Sequence, residues 1–286
     1  MNGFLIIDKP KGLTSLSVCN KIKYKLGLKK AGHSGTLDPN ATGVLVVACN
    51  SATKLIKLIN EHDKEYIATI VFGYDSNTLD MDGEITKDYK MDINIDELKV
   101  AVDSLSKITE QIPPMTSAIK VNGKKLYEYQ RRDIEVELKP RPVKIHESEI
   151  VSDLRYVDGH YEIDIRLNVS KGFYVRSYAH DLGRLLGGDA IIKELRRTKA
   201  GCFNINMAKP LDDIILDDII PIDIFFDFPR VEVNDYISGL VKNGVTLDNR
   251  QTDLKEPFYV CNNGKIIAIY EYIMENKYKP ILIFKE

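Results

Sequence analysis

The chain has few of the side chains that build disulfide or metal sites. It holds four cysteines and five histidines in 286 residues, and both kinds are scattered. The cysteines are Cys19, Cys49, Cys202 and Cys261. Because no C-x-x-C pair occurs, a disulfide framework and a zinc ribbon are disfavoured. We therefore expect free thiols in a reducing cytoplasm and no bound metal.

Long apolar runs are also lacking. No stretch approaches the roughly 20 apolar residues that a membrane span needs. The apolar run at residues 4–7 is followed at once by Asp8 and Lys9, so it is too short for the core of a signal peptide. Neither a G-x-G-x-x-G nor a Walker sequence occurs, which argues against a nucleotide cofactor. We expect no membrane association and no cofactor.

What is present is typical of a globular protein. Hydrophobic residues make up 44% of the chain and charged residues 29%. The length suits one large domain plus a small one. Composition shifts across residues 210–229, where six Asp and no basic residue lead to Pro229. We therefore predict one domain over residues 1–228 and a small β-rich domain over residues 229–286.

Charge is segregated along the chain although the net charge is only −2. Residues 1–60 carry nine Lys and two Asp, whereas residues 73–110 carry ten acids and four Lys. A basic face of this kind can hold a phosphate backbone. Solvated helix faces explain the charge pattern equally well, so charge alone leaves both interpretations open.

Apolar spacing predicts most of the secondary structure. A helix is expected after Thr14 or Ser15, with its apolar face formed by Val18, Ile22 and Leu26 and its end at Gly27. The sequence Asn262-Asn263-Gly264 between β-rich runs predicts a hairpin. Further strands are predicted at residues 5–7, 66–72, 161–169 and 279–284, and further helices at 51–58, 96–104, 175–186 and 189–195.

The segment at residues 32–45 presents His33 and Asp38 on a glycine-rich loop. Glycines permit tight backbone and close approach to a ligand. Pro39 fixes its own φ and restricts Asp38, so the carboxylate is held rigidly. From these residues alone, a turn in which Asp38 accepts hydrogen bonds from backbone amides is the simpler interpretation.

The same segment closely resembles the catalytic signature of the TruB-type tRNA pseudouridine synthases. Five more of the family's motifs are matched in order between residues 4 and about 210. They are the segments 8–15, 64–83, 113–129, 169–177 and 195–203. The sequence departs from the family at Thr116, where an aromatic residue is usual, at Ser76-Asn77, where Thr-Asp is common, and at Ser34, where Thr is commoner. These departures concern loop packing or RNA contact rather than chemistry.

The resemblance implies a fold and a reaction. The fold would be α+β, with a central, mainly antiparallel sheet flanked by helices and a PUA-like domain at the C-terminal end. The reaction would turn a uridine of the tRNA T-loop (position 55) into pseudouridine. It breaks a C–N glycosidic bond and rejoins the uracil through carbon, so it needs no cofactor.

The family's functional positions can be placed on this sequence. Asp38 would be the essential carboxylate, acting either as nucleophile or as base and stabiliser. Arg176 would hold Asp38 ionised and oriented. Tyr66 would stack on the uracil, Leu195 would form an apolar pocket wall, and His33 would fill the gap left by the flipped base.

Further expectations concern the RNA and rival functions. Five basic residues are predicted phosphate contacts: Lys9, Lys21, Lys124, Lys125 and Arg131. The expected partner is the T-arm of tRNA, and the expected state is a monomer. The rivals are a guide-RNA-dependent synthase, an RNA chaperone that binds tRNA without chemistry, and a carboxylate glycosidase. The last usually needs paired acids, and the motifs offer no second candidate for such a pair.

Overall fold

The computed structural model describes residues 2–60, 62–117, 119–121, 123–130, 134 and 136–284, apart from the side chains of six of them. Those six are Asn60, Lys120, Lys124, Lys125, Tyr127 and Gln130. The helices are α1 Ser15–Lys25, α2 Ile56–Asn60, α3 Ile95–Leu105, α4 Leu126–Gln130, α5 Val175–Leu185, α6 Ile222–Phe225 and α7 Asp235–Lys242. The strands are β1 Gly3–Lys9, β2 Ala31–Ser34, β3 Thr42–Cys49, β4 Lys64–Phe72, β5 Tyr74–Ser76, β6 Ile85–Asp88, β7 Glu110–Gln111, β8 Lys120–Val121, β9 Lys124–Lys125, β10 Arg141–Pro142, β11 Ile145–Ile150, β12 Arg155–Val157, β13 His160–Val169, β14 Ala190–Ala200, β15 Phe203–Asn204, β16 Lys209–Pro210, β17 Ile220–Pro221, β18 Arg230–Glu232, β19 Phe258–Asn262, β20 Lys265–Met274 and β21 Lys277–Ile283.

A large sheet forms the frame of the molecule. Its strand order is β11-β13-β4-β14-β3-β1-β16, with β2, β12, β15 and β17 paired beside this path. The pairs β14–β3 and β1–β16 are parallel, and the other pairs along the path are antiparallel. With helices packed on this sheet, the predicted α+β class with a mainly antiparallel sheet is confirmed.

One face of the sheet is covered by α1, α3 and α5, whose apolar residues share a core with the strands. The prediction for α1 is confirmed: Thr14 Oγ1 accepts a hydrogen bond from the Ser17 N–H at 3.0 Å, and Gly27 leaves the helix at φ +61°. The alternation predicted at residues 161–169 is confirmed as well, because Ile163, Ile165, Leu167 and Val169 are all buried in this core. None of the helices in the described part of the chain has the length and apolar character needed to span a bilayer.

The helix predicted at residues 189–195 is wrong, since these residues belong to strand β14 from Ala190 onward. Its register is shifted between Ile192 and Glu194 and again between Arg197 and Lys199. Each irregularity interrupts the two-residue alternation that identifies a strand. The run Ala190-Ile191-Ile192 is buried on both faces, and such a run does not distinguish a strand from a buried helix. By contrast, the helix predicted at residues 51–58 is present as a 3-10 turn, Asn50–Leu55, that continues into α2.

The C-terminal residues form a second sheet of order β18-β19-β20-β21. The predicted hairpin is confirmed, with Asn263 and Gly264 at φ +50° and +73° between β19 and β20. This sheet packs through Tyr259, Ile269 and Leu282 against the face of the large sheet opposite α1. The boundary at residue 228/229 stays a prediction.

Candidate active site

The loop that carries Asp38 connects β2 to β3 and is tied to the segment after β1. Ser15 Oγ donates to the carbonyl of Leu37 at 3.0 Å and accepts from the Leu37 N–H at 2.9 Å. The Gly12 N–H and Lys9 Nζ both donate to the carbonyl of Pro39 at 2.9 Å. The two ordered motifs at residues 8–15 and 31–39 are therefore one structural unit, which holds Asp38 rigidly.

The Asp38 carboxylate faces a guanidinium rather than a ring of amides. Arg176 Nη2 lies 3.1 Å from Asp38 Oδ2. Among the described residues no backbone N–H donates to this carboxylate, which disfavours the simple turn interpretation. Arg176 is buried, whereas 40% of the Asp38 side chain is exposed. The pair thus combines a fixed cation with a carboxylate that remains open to a substrate.

Arg176 is held by a loop that sequence reasoning did not assign to the site. Its Nη1 donates to the carbonyl of Thr78 at 2.9 Å and lies 3.6 Å from Asp80 Oδ2. Its Nη1 also donates to Thr116 Oγ1, so the departure from the usual aromatic residue places a hydroxyl against the arginine. Asp80 lies in the motif at residues 64–83, but the sequence alone gave it no partner. Because Arg176 is buried and contacts two carboxylates, the orientation of its guanidinium group is fixed.

All five residues predicted for catalysis and substrate binding line one pocket of about 540 Å³. They are His33, Asp38, Tyr66, Arg176 and Leu195. Tyr66 on β4 and Leu195 on the adjacent β14 supply an aromatic and an aliphatic wall, and Phe173 adds a second aromatic ring. Mostly apolar walls with a few convergent polar groups are typical of small-ligand sites. The roles of the five residues stay predictions.

His33 enters the pocket uncharged at neutral pH. Burial lowers the pKa of its imidazole, and the nearby positive charge of Arg197 lowers it further. Its Nδ1 is buried and, among the described residues, has no hydrogen-bond partner. A neutral ring of this kind suits contact with bases better than contact with phosphate.

The predicted phosphate contacts have different outcomes. Lys21 is exposed on α1 and is available for RNA. The side chains of Lys124 and Lys125, and the whole of Arg131, lie outside the described residues. For Lys9 the expectation is wrong: its side chain is fully buried, and Nζ donates to the carbonyls of Pro10, Leu13 and Pro39 at 2.9, 2.5 and 2.9 Å. Burial lowers the pKa of Lys9 to about 8, partly opposed by Asp38.

Three further basic side chains line the pocket, and none of them was predicted: Lys64, Lys171 and Arg197. Lys64 begins β4 and Lys171 stands in the turn before α5. Lys171 lies in the motif at residues 169–177 but was given no role, because its position in the pocket depends on strands far apart in the chain. No group of three or more His, Cys, Asp or Glu side chains in the described part of the chain is arranged to hold a metal ion.

Comparison with known proteins gives the family. Residues 23–175 match the N-terminal domain of the TruB family of pseudouridylate synthases, and residues 176–218 match the C-terminal domain of tRNA pseudouridylate synthase B. A tRNA pseudouridine synthase B of Acholeplasma laidlawii is 40% identical over 272 residues, which cover 94% of this chain and 95% of that protein. One from Aster yellows witches'-broom phytoplasma is 38% identical and covers 99% of this chain and 100% of that protein. Among solved structures, a chain of a Cbf5-Nop10-Gar1 complex superposes with a TM-score of 0.70 at 25% identity, covering 99% of this chain and 84% of that one. The chain therefore belongs to the TruB family of pseudouridylate synthases, which are isomerases.

Proposed function

We propose that this protein converts the T-loop uridine at position 55 of tRNA to pseudouridine, with Asp38 as the essential group. The observation that carries the proposal is the Asp38–Arg176 pair at 3.1 Å in a pocket walled by Tyr66 and Leu195. The relatives named tRNA pseudouridine synthase B, which match nearly the whole chain, support tRNA as the substrate.

The reaction conserves atoms and electrons. The bond from N1 of uracil to C1′ of the ribose breaks, the base turns, and a bond from C5 to C1′ forms. The proton on C5 is then lost, and N1 ends with a proton. Asp38 acts at the sugar either by attack on carbon or by accepting a proton, and its half-exposed carboxylate suits both routes.

The pocket walls suit a base that has left its stack. Extrusion costs a few kcal/mol, which contacts elsewhere on the RNA must offset. In the proposed complex the ring of Tyr66 stacks on the uracil, while neutral His33 occupies the space that the base leaves. In this proposal Lys64 and Lys171, which line the pocket, and Lys21, which is exposed on α1, contact phosphates of the RNA.

The rest of the chain completes the proposal. The residues 229–286 form a PUA-like domain that adds tRNA contact near the acceptor stem. The protein works in the cytoplasm as a monomer, without a guide RNA. The near-complete coverage of relatives named as single tRNA enzymes favours this form over one that works inside a guide-RNA particle.

The test uses a T-arm stem-loop with tritium at C5 of uracil. The wild type should release tritium, Asp38→Asn should release none, and both should bind the RNA equally well. Asp153→Asn, which changes an exposed aspartate that does not line the pocket, is the matched control and should behave as the wild type. Tight binding without any tritium release from the wild type would instead favour an RNA chaperone.

A further inference from the structure

Arg197 is a buried cation without a carboxylate partner. Its side chain is 1% exposed, the largest fully buried side chain of the molecule's described part. Nε donates to the carbonyl of Val44 at 2.7 Å and Nη2 donates to the carbonyl of Gly35 at 3.1 Å. Among the described residues no acid forms an ion pair with it. Because a buried charge without a counter-ion is costly, its presence calls for an explanation.

The two carbonyls stand at opposite ends of the loop that carries Asp38. Gly35 directly follows β2, and Val44 lies in β3, so the chain between them is the catalytic loop itself. A single planar guanidinium therefore bridges both ends of the loop. The contacts of Ser15 and Lys9 hold only its middle, at Leu37 and Pro39.

The backbone around Arg197 is built for this contact. Arg197 pairs with Gly43 in the parallel register of β14 and β3. A Cβ on Gly43 would lie 2.1 Å from the carbonyl oxygen of Arg197, and one on Gly35 would lie 3.3 Å from its Nη1. Two glycines of the signature loop are thus explained by the approach of one arginine.

We propose that Arg197 is a positioning residue that sets the place of the Asp38 carboxylate relative to Arg176 and the pocket. This inference rests on the proposed function, in which Asp38 is essential. Arg197 also lines the pocket beside His33, and its positive charge contributes to the lowered pKa values of His33 and Lys9. The charge of Arg197 therefore acts on His33 in the pocket and on Lys9 in the segment that holds the loop.

Lysine cannot take over this role. An ammonium is a point charge at the end of a flexible stem, whereas guanidinium presents donors in a fixed fork. Lysine would keep the charge at this position but leave one of the two carbonyls without its donor. A loop freed at one end would let Asp38 move, and a misplacement of about 1 Å is enough to cost roughly 100-fold in rate.

The experiment compares single-turnover rates and tRNA affinity for wild type, Arg197→Lys and the control Arg155→Lys. Arg155 bonds Asp164 through two nitrogens on β12, away from the pocket, so it tests loss of a forked contact in general. We expect Arg197→Lys to slow the chemical step by roughly 10- to 100-fold with tRNA affinity unchanged. Arg155→Lys should keep the wild-type rate.

Two further readouts separate positioning from mere destabilisation. Hydrogen exchange at the amides of Leu37 and Ala41 should accelerate by about 10-fold or more in Arg197→Lys, while exchange in α7 stays unchanged. In Arg197→Ala, added ethylguanidinium should restore part of the rate, and ethylammonium should not. If Arg197→Ala does not fold, Arg197→Lys carries the test.

Failure of the proposed role of Arg197 can be distinguished from failure of the proposed function. An inactive wild type would overturn the function and, with it, this inference. An active wild type with a fully active Arg197→Lys, or with unchanged exchange at Leu37 and Ala41, would overturn the role of Arg197 alone.

Discussion

At the scale of single residues, Arg176 is the side chain on which the site converges. It contacts Asp38 and Asp80 and is fixed by the carbonyl of Thr78. Lysine cannot reach these partners together, because it lacks the planar fork. We therefore expect Arg176→Lys to lower kcat by roughly 100-fold or more with little change in tRNA affinity.

The matched control is on the same helix. Arg184 pairs with Asp189 at 2.9 Å near the C-terminal end of α5 and is half exposed. Arg184→Lys should leave kcat within about 2-fold, because Arg184 does not line the pocket. Equal losses in both variants, measured by steady-state kinetics on tRNA, would contradict a special role for Arg176.

The lowered pKa of Lys9 predicts that the stability of the folded protein depends on pH. Its pKa is lowered from 10.5 to about 8 in the folded protein, chiefly by burial. The folded state therefore binds this proton less tightly than the unfolded chain does. The contribution of Lys9 to stability is full above pH 10.5 and is lost as pH falls through about 8.

The measurement is denaturant unfolding of wild type and Lys9→Met between pH 7 and 10.5. The stability of the wild type relative to the variant should rise with pH between about 8 and 10.5, by at most about 1.4 kcal/mol per pH unit. A difference that stays flat with pH would show that Lys9 keeps its ordinary pKa.

At the scale of elements, the parallel contact of β3 with β14 leaves no room for a side chain at Gly43. Its φ is +99°, and a Cβ would meet the backbone of Arg197 at 2.1 Å. Gly43→Ala should lower the free energy of unfolding by at least about 2 kcal/mol and reduce activity. Unfolding in urea measures the first effect and pseudouridine formation the second.

A second glycine provides a control, because its replacement by alanine should raise rather than lower the free energy of unfolding. Gly239 lies exposed in α7, and an added methyl group there would meet no atom within 4 Å. Gly239→Ala should raise the free energy of unfolding by about 0.5–1 kcal/mol, because alanine favours helix. A Gly43→Ala variant as stable as the wild type would contradict the close contact between β3 and β14.

Elements whose pattern is local were predictable, and elements set by long-range pairing were not. The helix cap at Thr14 and the alternation of buried residues in β13 are determined by residues close together in the sequence. Strand β14 was mistaken for a helix because its two register shifts disturb the alternation, and only its pairing with β4 and β3 decides its conformation. The same distinction explains why the motif at residues 195–203 did not indicate the role of Arg197: its partners at Gly35 and Val44 are more than 150 positions away.

At the scale of the whole molecule, the two sheets share a core. Phe4 of β1 stacks on Phe225 at 3.9 Å, and Tyr259 of β19 donates to the carbonyls of Ile222 and Phe226 at 3.0 and 2.9 Å. Removing residues 229–286 would uncover this apolar surface. We expect the full chain to unfold in one calorimetric transition and the truncated chain to aggregate. Two well-separated transitions would contradict a shared core.

The site as a whole was partly predictable. Ordered motifs named His33, Asp38, Tyr66, Arg176 and Leu195, and the fold gathers all five in one pocket. Asp80, Lys64 and Lys171 were missed because nothing in their local sequence indicates where the sheet brings them. Lys9 was assigned to RNA from its charge, whereas its burial follows from the loop packed above it.

The most direct test of the central claim is to map pseudouridine in an unmodified full-length tRNA after incubation with the protein. We expect one new pseudouridine, at the T-loop uridine, with the wild type, and none with Asp38→Asn. Pseudouridine at another position only, or its formation at the T-loop by Asp38→Asn, would contradict this claim.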